Sequence, residues 1–359
     1  MALTSYGVND ALAVKLWAKT LSVEALKETY IGRFIGSSAS SLIHLKTDLQ
    51  KGSGDKITFG LRMQLTGAGV TENQILEGNE ESLTTYSDAL TINELSHAVR
   101  VRNNGTIDAQ RVPFNLREEA KDGLKDWYAG RVDQVFFNHI CGYTPVTNSV
   151  YTGNNTIIAP AATRVIRGNA AATDQALTTP ATDSLTLALI DKAVEIAKLA
   201  SPMIRPVRVN GEDMYVMFIH PSQTTSLRTS TTTGNWQDIQ KAAMMGGQTT
   251  NNPIFKGSLG VYNNVILHES ARITPGVHSA LGTAVANTRR AVLCGAQACA
   301  LGYGQKFSGG ENYNWVEELF DYERELGVSA QSIWGLKKTV FNSVDFSTIA
   351  ISTYAALAS

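Results

Sequence analysis

The sequence predicts an α+β fold from three observations. A segment beginning at Lys56 alternates apolar and other residues without error, which is typical of a strand with one covered face. A second segment, between residues 114 and 141, carries apolar residues at helical spacing, and short alternating segments return near the C-terminus. The 359 residues suffice for one large domain or two to three ordinary ones.

The first predicted element is a helix over residues 9–31, which Asn9 and Asp10 can cap. Glycine and a serine-rich stretch follow it, so we expect a terminal arm, residues 1–47, with little of its own chain to pack on. Trp17 on this arm is a candidate contact with a second copy of the chain.

Two long strands are predicted next. The first runs from Lys56 to Leu65 and places its apolar residues on one face, namely Ile57, Phe59, Leu61, Met63 and Leu65. The second runs from about Leu83 to Val101, and its alternation changes phase near Asn93, which indicates a β-bulge. An isolated two-stranded hairpin is marginally stable in water, so its apolar face must rest on something. Another copy is one candidate, with Phe59, Leu61 and Met63 in the contact.

The connection between these strands, residues 66–82, is far longer than a tight turn and has no lysine or arginine. It contains Glu72, Glu77, Glu80 and Glu81. A solvated loop is favoured over a calcium site, because the ligand order of an EF-hand is absent. A third interpretation is contact between these glutamates and a basic surface on a neighbouring copy, with candidates Arg100, Arg102, Arg111, Lys337 and Lys338.

The strongest predicted helix covers residues 114–141. Asn115 can cap it, Glu118 and Glu119 suit the positive end of its dipole, and Gly142 ends it. A helix of this length is roughly 40 Å long at ~1.5 Å per residue, long enough to serve as a structural spine.

The remaining elements are shorter. Residues 143–182 are rich in Thr, Ala and Asn and are predicted to form a long loop or insertion with one or two short strands. A helix from Ser184 to Leu199, with Asp183 as its cap, follows. Further strands are predicted at Met214–His220, Val261–His268, Ala291–Cys294, Tyr313–Phe320 and Phe346–Thr353, and a helix at Trp236–Met245.

Composition excludes several classes of protein. The net charge of -1 argues against a dedicated nucleic-acid binder and gives little electrostatic protection from self-association. No stretch of ~18 apolar residues could span a membrane, and the N-terminus does not read as a secretory signal. The three cysteines are too few for a disulfide framework, so we expect buried thiols in a reducing compartment.

No local motif predicts catalysis, a cofactor or a metal site. Gly302–Lys306 lacks P-loop spacing, and Gly67–Gly69 does not open a helix after a short strand as a dinucleotide fingerprint would. The six histidines show no metal-binding spacing. We therefore predict no catalytic, cofactor-binding or metal residue; an enzyme with a dispersed site that uses His268 or His220 is the alternative from another class.

The order of these parts resembles the major capsid proteins of tailed bacteriophages, which have the Hong Kong 97 fold, and more closely a branch found in many podoviruses. The predicted arm is similar to the family's N-arm. Gly54–Phe59 and Thr91–Leu95 resemble the start and end of its extended E-loop, here residues 48–102. The helix over residues 115–140 is similar to the spine helix of the peripheral domain.

The resemblance continues to the C-terminus. Tyr215–Pro221 lies in the segment similar to the axial domain, residues 184–300. The peripheral domain then comprises residues 103–183, with an insertion near 143–182, and 301–359. Its returning strands are similar to the segments Asp321–Val328, Ile333–Lys338 and Asp345–Phe346.

The resemblance implies a structural protein and no enzyme. Copies would form hexamers and pentamers of an icosahedral shell around double-stranded DNA, assembled in the cytoplasm of the host bacterium and retained in the virion. A separate scaffolding protein, a portal and a decoration protein are the implied partners; DNA contact would be weak and non-specific, with no membrane partner, no cofactor and no Lys–Asn cross-link. The shell of a cellular nanocompartment, built around a cargo enzyme, is the nearest alternative.

Overall fold

The computed structural model describes residues 29–48, 54–63, 65, 67–102, 106–111, 115–209, 211–229, 260–307 and 311–357. Trp17 and the predicted helix Trp236–Met245 lie outside these ranges, as does the predicted helix over residues 9–31 except for its last three residues. The described chain opens with a 3-10 turn at Tyr30–Phe34.

Strands and helices are numbered in chain order. The strands are β1 (Ile35–Gly36), β2 (Ile43–Lys46), β3 (Lys56–Arg62), β4 (Thr85–Thr91), β5 (Asn93–Arg102), β6 (Val165–Arg167), β7 (Val207–Val209), β8 (Glu212–Ile219), β9 (Gly260–Tyr262), β10 (Val265–Glu269), β11 (Gly276–Val277), β12 (Ala284–Val285), β13 (Thr288–Cys294), β14 (Cys299–Tyr303), β15 (Tyr313–Phe320), β16 (Glu325–Lys338), β17 (Val340–Phe341), β18 (Val344–Asp345) and β19 (Thr348–Tyr354). The α-helices are α1 (Ile107–Arg111), α2 (Leu116–Ile140), α3 (Ser149–Thr152), α4 (Pro180–Asp183), α5 (Leu187–Leu199) and α6 (Pro221–Thr229).

The long helix α2 begins and ends where its capping residues predict. The Asn115 side chain accepts a hydrogen bond from the Arg117 backbone N at 3.1 Å, and Glu118 and Glu119 occupy the first turn. After the helix, Gly142 has a φ of 62°, in the left-handed region that favours glycine. The helix predicted over residues 114–141 is confirmed to within two residues.

One compact unit contains the six-stranded sheet. Its strand order is β1-β2-β14-β16-β15, and β5 also pairs with β16. The long strand β16 runs antiparallel to both β5 and β15, whereas β14 runs parallel to β2. The residues of this unit come from Met1–Ile57, Leu90–Ile158 and Cys299–Lys337, within the described ranges.

Helix α2 packs its apolar stripe against this sheet. The buried residues of this core are Ala120, Leu124, Tyr128, Tyr313, Trp315, Leu326, Val328 and Ala330. The Tyr128 hydroxyl lies 2.8 Å from the carbonyl oxygens of both Leu95 and Ala330, so the one polar atom of that ring is satisfied. His97 stacks on Trp127 with the ring centroids 4.3 Å apart. Each large side chain buried here stabilises the fold by roughly 1.5–3 kcal/mol.

The change of phase near Asn93 marks a junction between two strands, so the predicted β-bulge is wrong. Strand β4 ends at Thr91 and pairs with β3, whereas β5 begins at Asn93 and pairs with β16. Ile92 lies between them, and its backbone N donates to the Asp55 carbonyl at 2.9 Å. Because the chain passes from one sheet into another, the buried parity changes at this residue.

The second unit contains a seven-stranded sheet of order β6-β19-β13-β8-β10-β9, in which β7 also pairs with β8. Helix α5 packs on this sheet through Leu187, Ile190, Ala193, Val194 and Ala197. The core on the sheet side includes Met217, Val265, Leu267, Leu293 and Ile351, each 0% exposed. The residues of this unit come from Thr58–Ala89, Ala159–Ala298 and Lys338–Ser359, within the described ranges.

Two predicted elements differ from those observed in this unit. The strand predicted over Val261–His268 is the hairpin β9–β10, which turns at Asn263 and Asn264, both with positive φ. The helix predicted from Ser184 begins at Leu187, and Asp183 does not cap it. Asp183 instead closes α4, where its carboxylate accepts from the backbone N of Thr178 and Thr179.

The segment 143–182 consists of short helical turns and one strand, β6, which joins the second sheet parallel to β19. Its buried Asp174 accepts from Arg167 Nε at 2.7 Å and from Arg290 Nε and Nη2 at 2.9 and 2.7 Å. Burial opposes ionisation of this carboxyl, but the two arginines together hold its pKa below the usual value. The segment is therefore tied to the sheet by a buried ion-pair network.

The two units group the chain differently from the predicted domain boundaries. Residues 159–183 and 338–359 belong to the second unit, because β6 and β19 are strands of its sheet. The resemblance to the capsid family implied the peripheral domain for both stretches.

Candidate functional site

The most distinctive surface is the hairpin β3–β4 with its connection. The two strands form a separate two-stranded sheet, and the Met63 backbone N donates to the Thr84 carbonyl at 3.0 Å. Burial along β3 alternates, with Ile57, Phe59 and Leu61 more buried than their neighbours. The predicted strand is thus present, although it ends at Arg62 rather than at Leu65. We call residues 66–82 the tip, and it is described from Gly67 onward.

The base of the hairpin is fixed on its own chain. The Phe59 ring meets Phe341 edge-on, with centroids 6.0 Å apart, and Phe341 meets Phe346 in the same way at 5.3 Å. The Asp88 carboxylate accepts a hydrogen bond from the Val340 backbone N at 3.1 Å. Aromatic pairs of this geometry contribute roughly 0.5–1.5 kcal/mol beyond the area that they bury. We call these contacts among Phe59, Asp88, Val340, Phe341 and Phe346 the anchor. The anchor orients the hairpin without any second copy.

Leu61 and Met63 are half-buried and line a small cavity of about 90 Å³ beside Phe341 and Phe346. The apolar face of the hairpin thus rests on its own chain, which satisfies the requirement drawn from the sequence. A role for Phe59, Leu61 and Met63 in contact between copies stays a prediction.

The tip itself is open to solvent. Every residue from Thr71 to Thr85 is exposed. Glu81 accepts from the Gly67 backbone N at 2.6 Å and Glu80 from the Gly78 backbone N at 2.7 Å, so two of the four predicted glutamates help to hold the loop. The other two, Glu72 and Glu77, accept no hydrogen bond and form no ion pair within the described part of the chain.

The tip also exposes large apolar side chains. Ile75 is 71% exposed and Leu76 is 59% exposed, and Leu65 and Leu83 at the edges of the tip exceed 50%. A contiguous group of exposed apolar residues on a soluble protein marks an interaction surface. The tip therefore combines apolar surface with two carboxylates, those of Glu72 and Glu77, that have no partner among the residues described here.

The basic candidates differ in their availability. Lys338 is 2% exposed and pairs with Asp345, so its predicted place on a basic surface is wrong. Arg100 and Arg102 are partly exposed and both pair with Glu325, at 2.7 and 3.0 Å. Arg111 is exposed and Lys337 is half-buried. Successive side chains of β16 point to opposite faces of the sheet, which explains why the adjacent Lys337 and Lys338 differ in burial.

His220 and His268, the histidines of the alternative enzyme hypothesis, each take part in an ordinary packing or capping contact. His220 is buried, and its Nδ1 lies 3.1 Å from Ser222 Oγ at the start of α6. Burial, together with the charge of Arg289, lowers the pKa of His220 to about 4. The His268 ring lies 6.1 Å from Phe218. Among the described residues, no group of three or more His, Cys, Asp and Glu side chains could hold a metal ion.

None of the helices in the described ranges is both long and apolar enough to cross a membrane.

Some residues of the anchor were missed at the level of sequence. Asp88 and Val340 are 252 positions apart, and nothing local signals that they meet. The alternation of β3 showed that Phe59 needs a partner but could not identify Phe341.

Comparison with known proteins gives a consistent result. A model of the family described as "Phage capsid protein" matches residues 5–357. The chain is 28% identical to the major capsid protein of Pseudomonas phage KPP25, over 92% of this chain and 90% of that protein.

Solved structures are similar as well. The capsid of Ralstonia phage GP4 has a TM-score of 0.76 and 32% identity, and the match covers 100% of this chain and 96% of that chain. The capsid asymmetric unit of cyanophage Pam1 has a TM-score of 0.71 and 22% identity, covering 92% and 93%.

The chain therefore belongs to the phage capsid protein family. Proteins of this family assemble into multi-subunit shells that form the capsid of the virion. Within the family it is a major capsid protein, and its Hong Kong 97 fold, expected from the resemblance, is confirmed. The comparisons do not favour the alternative of a cellular nanocompartment.

Proposed function

We propose that the chain assembles through hexamers and pentamers into a closed icosahedral shell around double-stranded DNA, with the hairpin tip as an obligatory contact between copies. The observation that carries the proposal is the contrast within the hairpin. Its base is fixed by Phe341, Phe346 and Asp88, while its tip exposes apolar and acidic side chains. A rigidly oriented projection loses little conformational entropy when it binds.

The contact surface comprises the eight residues predicted from sequence. The tip contributes Glu72, Glu77, Glu80 and Glu81. The exposed parts of Phe59, Leu61 and Met63 contribute at the base of the hairpin. Trp17 contributes from the N-terminal arm. Obligate interfaces of this kind bury on the order of 2,000 Å² or more, which extensions of a subunit can supply.

The domain roles follow the family pattern. Residues 1–47 are the arm, 48–102 the E-loop, and 103–183 with 301–359 the peripheral domain that contains the spine helix. Residues 184–300 form the axial domain around which hexamers and pentamers are arranged. Residues 159–183 and 338–359 supply strands β6 and β19 of the seven-stranded sheet, which supports grouping them with the axial domain.

The proposed partners are those of a phage head. A separate scaffolding protein directs assembly in the cytoplasm of the host bacterium, a portal occupies one vertex, and a decoration protein can bind outside. Contact with DNA is weak and independent of base sequence, because the net charge is -1 and the cations are scattered. The chain is a structural protein and catalyses no reaction.

Sedimentation and negative-stain microscopy of the purified chain at several salt concentrations test this proposal. We expect closed shells, or rings of five and six subunits, either from the chain alone or after co-expression with the scaffolding gene. A monomer or dimer under every condition, including co-expression, would contradict it. The enzyme alternative requires a turnover of ester, phosphate or peptide substrates that is lost in His220→Gln or His268→Gln.

A further inference from the structure

A groove of about 570 Å³ lies in the second unit, beside helix α5. Its apolar wall consists of Ile196, Leu199, Ala200 and Val344, and Leu199 is 77% exposed. Lys192 and Glu195 stand at the same groove with opposite charges. The small cavity at the hairpin base shares Arg164, Ser201 and Val344 with it. An open apolar wall of this kind has the chemistry to receive aliphatic side chains.

Arg164 gives the groove a charge. The side chain is 4% exposed and lines both the groove and the small cavity, and its Nε has no hydrogen-bond partner within the described ranges of the chain. Burial lowers the pKa of Arg164, and the opposing effect of Asp345 is smaller. A buried N–H without an acceptor carries its full desolvation cost.

The neighbouring carboxylate is already engaged. Asp345 Oδ1 lies 2.5 Å from Lys338 Nζ in an ion pair but accepts no hydrogen bond from the described residues, and Asp345 Oδ2 accepts from the Ala161 backbone N at 2.9 Å. Among Arg164, Lys338 and Asp345, which lie close together, two side chains are positive and one is negative, an excess of one positive charge within this set. An acceptor that entered the groove with a negative charge would satisfy both the free N–H and this excess.

The tip contains a segment with the complementary chemistry. Ile75 and Leu76 expose two adjacent aliphatic side chains, and Glu77, which follows them directly, has no partner within the described chain. In a single subunit the two surfaces are not in contact, since Leu76 and Leu199 are both largely exposed. Copies of one chain carry both surfaces, so a second copy supplies what each lacks.

We propose that Ile75, Leu76 and Glu77 of one copy bind in the groove of a second copy, with the aliphatic side chains on the wall of α5 and the Glu77 carboxylate on Arg164. This inference rests on the proposed assembly into a shell and names the acceptor of the tip. It explains why a buried guanidinium keeps a free N–H.

Disulfide trapping tests the contact. The native cysteines Cys141, Cys294 and Cys299 are buried and do not interfere. A disulfide needs the two Cα atoms within about 4.4–6.8 Å, so it reports close approach. In the double variant Leu76→Cys with Leu199→Cys, oxidised particles should give a ladder of linked multimers on a non-reducing gel. The matched control combines Leu76→Cys with Leu281→Cys, since Leu281 is 71% exposed outside the groove, and it should stay monomeric.

Mixed particles distinguish a second copy from the same chain. Co-expression of the two single variants, Leu76→Cys and Leu199→Cys, should give linked dimers and nothing longer. If the double variant loses its free thiols but still migrates as a monomer on a non-reducing gel, the disulfide lies within one chain. The tip would then bind its own groove, which would overturn the inference. Particles that form normally but never link would also overturn it. If the unmodified chain forms no particles under any condition, the proposed function fails first, and the inference fails with it.

The charge is tested in the same background. Glu77→Gln removes the carboxylate and should slow linkage between residues 76 and 199 roughly tenfold, as expected for the loss of a hydrogen bond between charged groups. Glu212→Gln neutralises an exposed glutamate at the start of β8, away from the tip and the groove, and should leave the rate unchanged. An equal effect of both variants would show that only overall charge matters and would contradict a role for Arg164.

Discussion

The hairpin β3–β4 and the unit around α2 bury their apolar surfaces in different ways. Helix α2 buries its apolar stripe against a sheet of its own chain, where Leu124 and Tyr128 are 0% exposed. Among the described residues the hairpin packs at its base, on Phe341 and through Asp88, while Ile75 and Leu76 at its tip are exposed to solvent. The first arrangement stabilises the subunit itself, and the second leaves apolar side chains exposed for contact with another copy. A protein that must fold first and assemble later needs both arrangements.

The largest expected effect comes from Leu124→Asp, which places a charge in the core between α2 and its sheet, the region that needs no second copy. A carboxylate would enter a core that offers it no partner, at a cost of at least ~4 kcal/mol, enough to abolish folding of a marginally stable subunit. Solubility and circular dichroism would measure this loss. The same substitution at exposed Leu281 is the matched control and should leave the fold intact. Native-like Leu124→Asp protein would show that the stripe of α2 is not essential.

Deletion of Thr66–Ser82 addresses the other side, because it removes the exposed tip and keeps the anchored base. We expect a folded subunit, with a melting temperature close to that of the parent, that no longer closes a shell. Thermal unfolding and negative-stain microscopy measure the two properties separately. Normal particles from the deleted chain would mean that the tip is dispensable, whereas an unfolded subunit would mean that the two regions are not independent.

Phe341→Ala would sharpen the comparison by loosening the base while leaving the tip unchanged. Phe341 is 8% exposed and contacts both Phe59 and Phe346, so its truncation should cost about 3–5 kcal/mol of unfolding free energy. Denaturant unfolding measures this difference. Tyr322→Ala removes a fully exposed aromatic ring and should stay within ~0.5 kcal/mol of the parent. A small loss at Phe341 would indicate that the hairpin is held mainly by Asp88.

The smallest expected effect is that of pH on the free energy of unfolding, and it acts through buried His220 rather than through the tip. His220 has a pKa of about 4 in the folded chain, below its unfolded value of about 6.5, so the unfolded chain binds the extra proton first. Stability should therefore fall as the pH drops from about 6.5 to 4, by up to roughly 3 kcal/mol. Denaturant unfolding across this range should show a weaker dependence for His220→Gln. An unchanged dependence in that variant would contradict the buried neutral imidazole.

Local patterns in the sequence predicted the elements that local physics controls. The cap at Asn115 and the stop at Gly142 bounded α2, and the alternation from Lys56 identified β3, because capping and side-chain direction depend only on near neighbours. The predicted bulge near Asn93 failed for the same reason. A change of phase looks alike whether a strand bulges or changes its sheet, and only distant partners distinguish the two.

The candidate contact residues show the same division. The four glutamates of the tip were visible as a run of acids without bases, whereas the division between Glu80 and Glu81, which hold the loop, and Glu72 and Glu77, which do not, depends on backbone geometry. Lys337 and Lys338 looked equivalent in the sequence. Their different burial follows from which face of β16 each occupies and from the position of Asp345.

By itself, the sequence determined an α+β chain with a long capped helix, an acidic projecting hairpin, a net charge near zero and an order of parts that resembles a phage capsid protein. These properties follow from composition, periodicity and near-neighbour chemistry. The tertiary structure decided that Phe59 packs on Phe341, that Asp345 pairs with Lys338, and that Arg164 is buried with a free N–H beside an apolar groove. Contacts between residues this far apart in the chain depend on how the sheets and helices pack, and no local pattern encodes that packing.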